Sequence, residues 1–297
     1  NLFVVGDDDQ SIFGFRAAEP KYLLEFEQTY PGAEILRMEQ NFRSAPQIVE
    51  AACGFIRSNK QRYDKAMFTK NPKGGVLQSK HFPGIKEQNE FLIQQLASQR
   101  DLAQTGILYR NNLSAICLAD ALERANIPFY IRESGKQRFF SHWAIKDVLN
   151  FLRFSFNDKS LAVLERIWSK LNCPLRKQQL DYLKQMPIDR SSFEILAEQP
   201  GVTAKARIEY LDLKKWFKEL NTLSPAEAIH YIRNRLDYDK AVKGICESLG
   251  FSEDYVGTLL DVLSSIARNE GTIVDFANRL TYLEERMISG YKNKPDK

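Results

Sequence analysis

Apolar and polar positions alternate in two different ways along the 297 residues. Up to about residue 155, short β-branched or aromatic runs are interleaved with stretches of helical period. "LFVVG", "EILRME", "GVLQSKHF", "GILYR" and "PFYIRE" read as strands, and "EPKYLLEFEQTY" puts Tyr22, Leu23 and Phe26 on one helical face. Ser44 precedes "APQIVEAACGFI" as an N-cap, with Pro46 in the first turn and Ile48, Val49, Ala52 and Ile56 on one face. "IKEQNEFLIQQLASQ" and "SAICLADALERAN" supply further helices, and the turn-rich "NPKGG" at 71–75 is the clearest loop. This alternation predicts an α/β arrangement, parallel sheet covered by helices. Beyond about residue 156 the strand signals fade. "LAVLERIWSKL", "KARIEYLDLKKWFKEL", "PAEAIHYIRNRL", "EDYVGTLLDVLSSIA" and "IVDFANRLTYLEERM" predict a helical domain with its own core, including Ile208, Leu211, Leu213, Trp216 and Phe217 on one helix.

Composition narrows the class. At 43% apolar, the chain can bury one large core or two ordinary ones. A net charge of +4 permits an anionic partner without requiring one. Cys53, Cys117, Cys173 and Cys246 form no C-x-x-C pair, and "NLFVVG" has no signal-peptide pattern, so the chain reads as reduced and cytoplasmic. No apolar run approaches the roughly 20 residues needed to span a bilayer, and no membrane partner is expected. The apolar run begins at once and the end, "YKNKPDK", is polar, so the sequence reads as an internal piece of a longer chain.

Chemistry concentrates in "VVGDDDQSIFGFRAA". Carboxylates at the end of a parallel strand, followed by Gln10, suit phosphate chemistry, because α/β folds bind ligands there and glutamine can orient a water or bond a phosphoryl oxygen. Asp7, Asp8 and Asp9 suit the capping of a following turn at least as well. A D-x-D-x-T nucleophile motif does not fit, because Ser11 stands two residues after Asp9. Phe13, Phe15 and Arg16 combine aromatic faces with a cation, which suits stacked bases, although an aromatic pair also serves as ordinary core. Farther on, "RSNKQRYDKAMFTKNPK" carries Arg57, Lys60, Arg62, Lys65, Lys70 and Lys73 against Asp64 alone. Such a run is commonly a solvated face and in some proteins a nucleic-acid contact.

"VGDDDQSIFGFRAA" followed by "RMEQNFRSAPQIVEAA" resembles two motifs of the superfamily 1 DNA helicases of the UvrD, Rep and PcrA type, GDxDQSIYxWRGA and QNYRS. "GILYRNNLSA" is similar to the family's LYRxN segment, and "GKQRFFSHWAIKDVLNFLRF" to its GGxxFFExxEIKDxLAYLR segment. The resemblance covers the first 155 residues. It implies parts of two RecA-like P-loop NTPase motor domains and a large all-α insertion. Residues 1–45 would end the first motor domain, 46–156 begin the second, 157–290 form the insertion, and 291–297 lead to a missing motor segment.

The resemblance also implies roles. Gln10 would sense the γ-phosphate of ATP, Asp7 would lie near the metal and the attacking water, and Arg43 would approach the γ-phosphate as an arginine finger, with Phe42 stacked on adenine. Phe13, Phe15 and Arg16 would contact single-stranded DNA, with phenylalanine for the usual tryptophan at Phe15 and Ala17 for the usual glycine. Arg110 and Asn112 would contact the DNA backbone. The insertion would meet duplex DNA through R-G-I-G turns, but "LNCPLRKQQ" has Pro174 and Leu175 there. Standing alone, Arg43 would read as a surface salt bridge and Arg110 and Asn112 as loop residues.

No G-x-x-x-x-G-K-[S/T] and no D-E-x-x segment occurs, so this stretch offers neither a phosphate loop nor the metal-holding pair. ATP and Mg2+ would therefore be cofactors of a longer parent, an ATP-dependent helicase translocating 3′ to 5′ as the resemblance implies. Alternatives are the helicase subunit of a recombination helicase–nuclease and a non-catalytic nucleic-acid-binding module on a degenerate motor fold.

Overall fold

The computed structural model describes residues 2–11, 14, 19–131, 139–171, 173 and 175–292. The chain divides into two units, 1–81 and 82–297.

The first unit is mostly irregular backbone held by side-chain hydrogen bonds. A 3-10 turn spans Asp8–Gln10, and the helix expected within residues 19–30 forms as two short pieces, α1 (Lys21–Leu24) and α2 (Phe26–Thr29). Glu25 separates them with φ −101° and ψ 18°, outside the helical well. α3 (Pro46–Ile56) begins one residue later than expected: its N-cap is Ala45, with no side-chain cap bond. Pro46 at the first helical position removes a donor that would otherwise need capping, and it holds Ala45 extended at ψ 156°. Ser44 instead donates its backbone N–H to Asn41 Oδ1 at 2.8 Å.

The expected parallel sheet is not formed among the described residues. Their β pairing is one isolated parallel bridge, Gln40 to Phe68. Segments read as strands carry apolar side chains in water, Phe3 being 84% exposed and Met38 82%. A parallel strand needs a neighbour along its whole length and a helical layer over each face, and among the described residues the pairing does not extend beyond that bridge.

In the second unit, α4 (Ile85–Ala97) packs on α5 (Asn112–Arg124) through Leu96, Leu118 and Leu122. α6 (Trp143–Phe156) is followed by α7 (Leu161–Ile167), α8 (Lys177–Gln185), α9 (Ser192–Ala197), α10 (Ala204–Leu220), α11 (Pro225–Asn234), α12 (Tyr238–Leu249), α13 (Glu253–Ala267) and α14 (Ile273–Lys292). One continuous core runs from Leu113 on α5 to Met287 on α14.

At its centre, α6 inserts Phe151 and Phe154. Phe154 meets Phe217 edge-on at 5.0 Å and Phe193 at 5.7 Å, and Phe151 meets Tyr238 at 5.3 Å. The core of the helical half is thus shared with helices that precede residue 157. Buried Asp147 on α6 accepts from Lys170 Nζ and, at 3.0 Å, from the Tyr238 hydroxyl, so its charge is compensated where it is desolvated. Asp120 on α5 accepts from Arg124 Nε at 3.0 Å and from Arg279 Nε of α14 at 2.8 Å.

On α10 the buried positions are Tyr210, Leu213, Phe217 and Leu220, a spacing of three and four residues that makes one face. Ile208 and Leu211, expected in the core, lie off that face and are 61% and 45% exposed. Pro174 lies outside the described residues. The four cysteines are free thiols, and among the described residues no helix is long and apolar enough to cross a membrane.

Candidate functional site

The acidic triplet is a built structure. Asp7 caps the 3-10 turn, its Oδ1 accepting from the Asp9 backbone N–H at 3.2 Å, as an acidic residue in that place does. Gln10 Nε2 reaches back to Asp7 Oδ2 at 2.5 Å. Asp8 is buried and accepts from the Tyr63 backbone N–H at 2.7 Å. Lys65 Nζ lies 3.1 Å from Asp7 Oδ1, 2.6 Å from Asp8 Oδ1 and 3.0 Å from Asp9 Oδ2. Arg62 grips Asp9 with two parallel bonds, 2.8 Å from Nε and 2.9 Å from the terminal nitrogen.

These contacts order the charges. For Asp9, the bond from Arg62 outweighs partial burial and, with Lys65, brings the carboxyl down from 3.8 to about 2. For Asp7, burial opposes ionisation, but the bonds from Lys65 and Gln10 overcome it and hold the carboxyl below its ordinary range. Burial works against the Lys65 ammonium as well, and its three carboxylate partners raise its pKa regardless. Three carboxylates compensated by an ammonium and a guanidinium do not make a divalent-ion site, and no cluster of three or more His, Cys, Asp or Glu placed for a metal exists among the described residues.

The "QNFRS" segment forms a second loop in the same unit. Asn41 Oδ1 accepts from the backbone N–H groups of Arg43 and Ser44 at 2.9 and 2.8 Å, folding the loop over its own side chain. Asn71 Nδ2 donates to the Phe42 and Ser44 carbonyls at 3.1 and 3.2 Å. With the backbone so held, the Phe42 ring stands 73% exposed and the exposed Arg43 guanidinium has no hydrogen bond or ion pair among the described residues. An exposed aromatic face beside an unpaired guanidinium can stack on a base and bond phosphate oxygens.

The predicted set is distributed unevenly. Asp7, Gln10, Phe42 and Arg43 lie in the first unit. Arg110 and Asn112 lie in the second, exposed at the start of α5, where Asn111 caps the helix by accepting from the Ser114 N–H at 3.1 Å. Phe13, Phe15 and Arg16 lie outside the described residues. The sequence reading missed Arg62 and Lys65 as site residues. Two of the six cations in the basic run face the acidic triplet, and the signal was complementarity: an acid-rich turn and a base-rich segment in one unit.

Comparison with known proteins shows the family. The UvrD-like helicase C-terminal domain model matches residues 36–197, more than half of the chain, and the UvrD/REP helicase N-terminal domain model matches residues 1–31. DNA helicase II of Escherichia coli is 35% identical over 196 residues, covering 64% of this chain and 26% of that protein. ATP-dependent DNA helicase PcrA of Staphylococcus epidermidis is 27% identical over 306 residues, 96% of this chain and 41% of its own length. The putative ATP-dependent DNA helicase YjcD of Bacillus subtilis is 28% identical over 307 residues, 100% of this chain and 39% of its own length. The chain thus spans between about a quarter and two-fifths of these relatives. The boundary between the two family models falls between the acidic turn and the "QNFRS" loop, and a chain carrying both in that order belongs to the UvrD/Rep helicase family.

Proposed function

We propose that the chain is the part of an ATP-dependent DNA helicase that carries the γ-phosphate side of its nucleotide site and part of its DNA track. The observation behind this reading is the pair of hydrogen-bonded loops in one unit, one carrying Gln10 and the other carrying an exposed Phe42 and an Arg43 with no ion pair among the described residues. Hydrogen bonds fix the backbone of both loops, so it is the Gln10 and Arg43 side chains, and not the loops, that adjust on meeting phosphate, the Gln10 amide leaving Asp7 to do so. Bound ATP supplies a γ-phosphoryl group whose transfer to water releases the energy for movement.

The residues here fit the nucleotide. Arg43 offers a fixed, permanently charged fork to oxygens that gain charge in the transition state, Gln10 holds or orients a water through its amide, and Phe42 covers an aromatic base. The acidic triplet does not fit Mg2+, because Lys65 and Arg62 already compensate it. Ligands for that ion would come from segments of the full-length protein outside this chain.

In this reading residues 1–45 close the first RecA-like motor domain, 46–156 open the second and 157–290 are the helical insertion, with parallel sheets completed by strands from the rest of the protein. Phe13, Phe15 and Arg16 with Arg110 and Asn112 line the single strand, along which the full-length protein translocates 3′ to 5′. The test is strand displacement by the full-length protein on a duplex with a 3′ single-stranded tail, with ATP and Mg2+. ATP-dependent displacement from that tail supports the reading. No displacement, with no DNA-stimulated hydrolysis, favours a non-catalytic binding module.

A further inference from the structure

The segment from Arg62 to Gly74 touches both loops of the site. At its start, Arg62, the Tyr63 N–H and Lys65 hold Asp9, Asp8 and all three carboxylates respectively. Tyr63 is itself fixed, its hydroxyl donating to the Leu23 carbonyl at 2.6 Å and its ring lying under Arg37 at 5.5 Å. In its middle, the Ala66 N–H donates to Glu39 Oε1 at 2.8 Å, the Phe68 N–H to the Glu39 carbonyl at 3.0 Å, and the Asn41 N–H to the Phe68 carbonyl at 2.7 Å. At its end, Asn71 holds the carbonyls of Phe42 and Ser44, and Gly74 exchanges hydrogen bonds with the Gln47 carboxamide at 3.2 and 3.3 Å.

We propose that residues 62–74 are a positioning strut, in which Lys65 sets the Asp7–Gln10 turn and Asn71 sets the Phe42–Arg43 loop, so that both sides of the nucleotide site share one scaffold. The proposal rests on the helicase reading only for its effect on catalysis. Lysine suits the first task because an ammonium has three donors around a point charge and meets three carboxylates at once, whereas a guanidinium is a planar fork. Asparagine suits the second because its amide offers two N–H donors on one nitrogen, one for each carbonyl. Neither residue touches nucleotide in this account; each acts through the loop it holds.

Displacing reacting groups by about 1 Å costs on the order of 10²-fold in rate. In the full-length protein, Lys65→Met and Asn71→Ala should each lower kcat for ATP hydrolysis by that order, with the Kd for single-stranded DNA measured without nucleotide unchanged. Lys65→Met should also move the acid limb of the pH–kcat profile upward. Asp7 and Asp9 face Lys65, Arg62, Gln10 and Asp8, and with Lys65 gone their carboxyls protonate at higher pH. Lys65→Arg keeps the charge and should leave that limb in place.

Hydrogen exchange gives a readout independent of activity. Lys65→Met should speed exchange of the Asp9, Gln10 and Ser11 amides, and Asn71→Ala that of Arg43 and Ser44, which bond Asn41. Unchanged exchange at those amides overturns the strut, as does an unmoved acid limb in a Lys65→Met protein that still hydrolyses ATP. If the unsubstituted protein hydrolyses no ATP, the helicase reading fails and the exchange result alone decides the strut.

Discussion

At the residue scale, this chain uses charge to build geometry. Asp9 and Arg62 illustrate it: the folded carboxyl titrates near 2 and the unfolded one near 3.8. A depressed folded value means stability that is complete above the unfolded pKa and is lost as pH falls from about 3.8 toward 2. Urea unfolding at pH 7 and pH 3 should therefore show a larger loss in the unsubstituted protein than in Arg62→Ala, which has already surrendered the pair. Phe15 belongs to the same scale. In the full-length protein Phe15→Ala should weaken single-stranded DNA binding by about 1–3 kcal/mol, measured by fluorescence anisotropy, with ATP affinity little changed. Unaltered DNA affinity in a folded variant would return Phe15 to the core.

At the element scale, helices were readable and strands were not. α4, α5, α10, α11, α13 and α14 each carry an apolar stripe at helical spacing, and each forms where that stripe predicts. α9 is only six residues long and is stabilised by burial of Phe193, Ile195 and Leu196, while α8 and α12 carry one-sided apolar patterns, with Leu180 and Leu183 and with Tyr238, Val242 and Cys246 inward, that the sequence reading passed over. The strand-like runs could not be converted into a sheet because a sheet is a property of neighbouring segments, and among the described residues their pairing goes no further than the single bridge from Gln40 to Phe68. Gln10, Phe42 and Arg43 could be named as candidates because each stands in a short motif of consecutive residues. The site was not readable in Lys65 and Asn71, which act across 57 and 29 residues of sequence. Core sharing carries its own prediction. Phe154→Ala should destabilise the second unit by about 3–5 kcal/mol, because the ring sits fully buried between Phe193 and Phe217. The segment 157–290 expressed alone, lacking Phe151 and Phe154, should melt at lower temperature and less cooperatively than 139–292. Equal circular dichroism melts would show that α6 is dispensable to that core.

At the scale of the whole molecule, the chain spans between about a quarter and two-fifths of the relatives it matches. Of the expected site residues that the structure describes, Asp7, Gln10, Phe42 and Arg43 lie in the first unit and Arg110 and Asn112 in the second. No phosphate loop occurs in the sequence, so residues 1–297 by themselves should show no DNA-stimulated ATP hydrolysis. Turnover that persists through purification would refute that. The central claim is that the two held loops of the first unit face the γ-phosphate, and steady-state hydrolysis by Gln10→Ala and Arg43→Ala forms of the full-length protein tests it most directly. The account predicts a fall in kcat for both, about 10³-fold or more for Arg43→Ala, with single-stranded DNA affinity retained. Normal hydrolysis by both variants would contradict it.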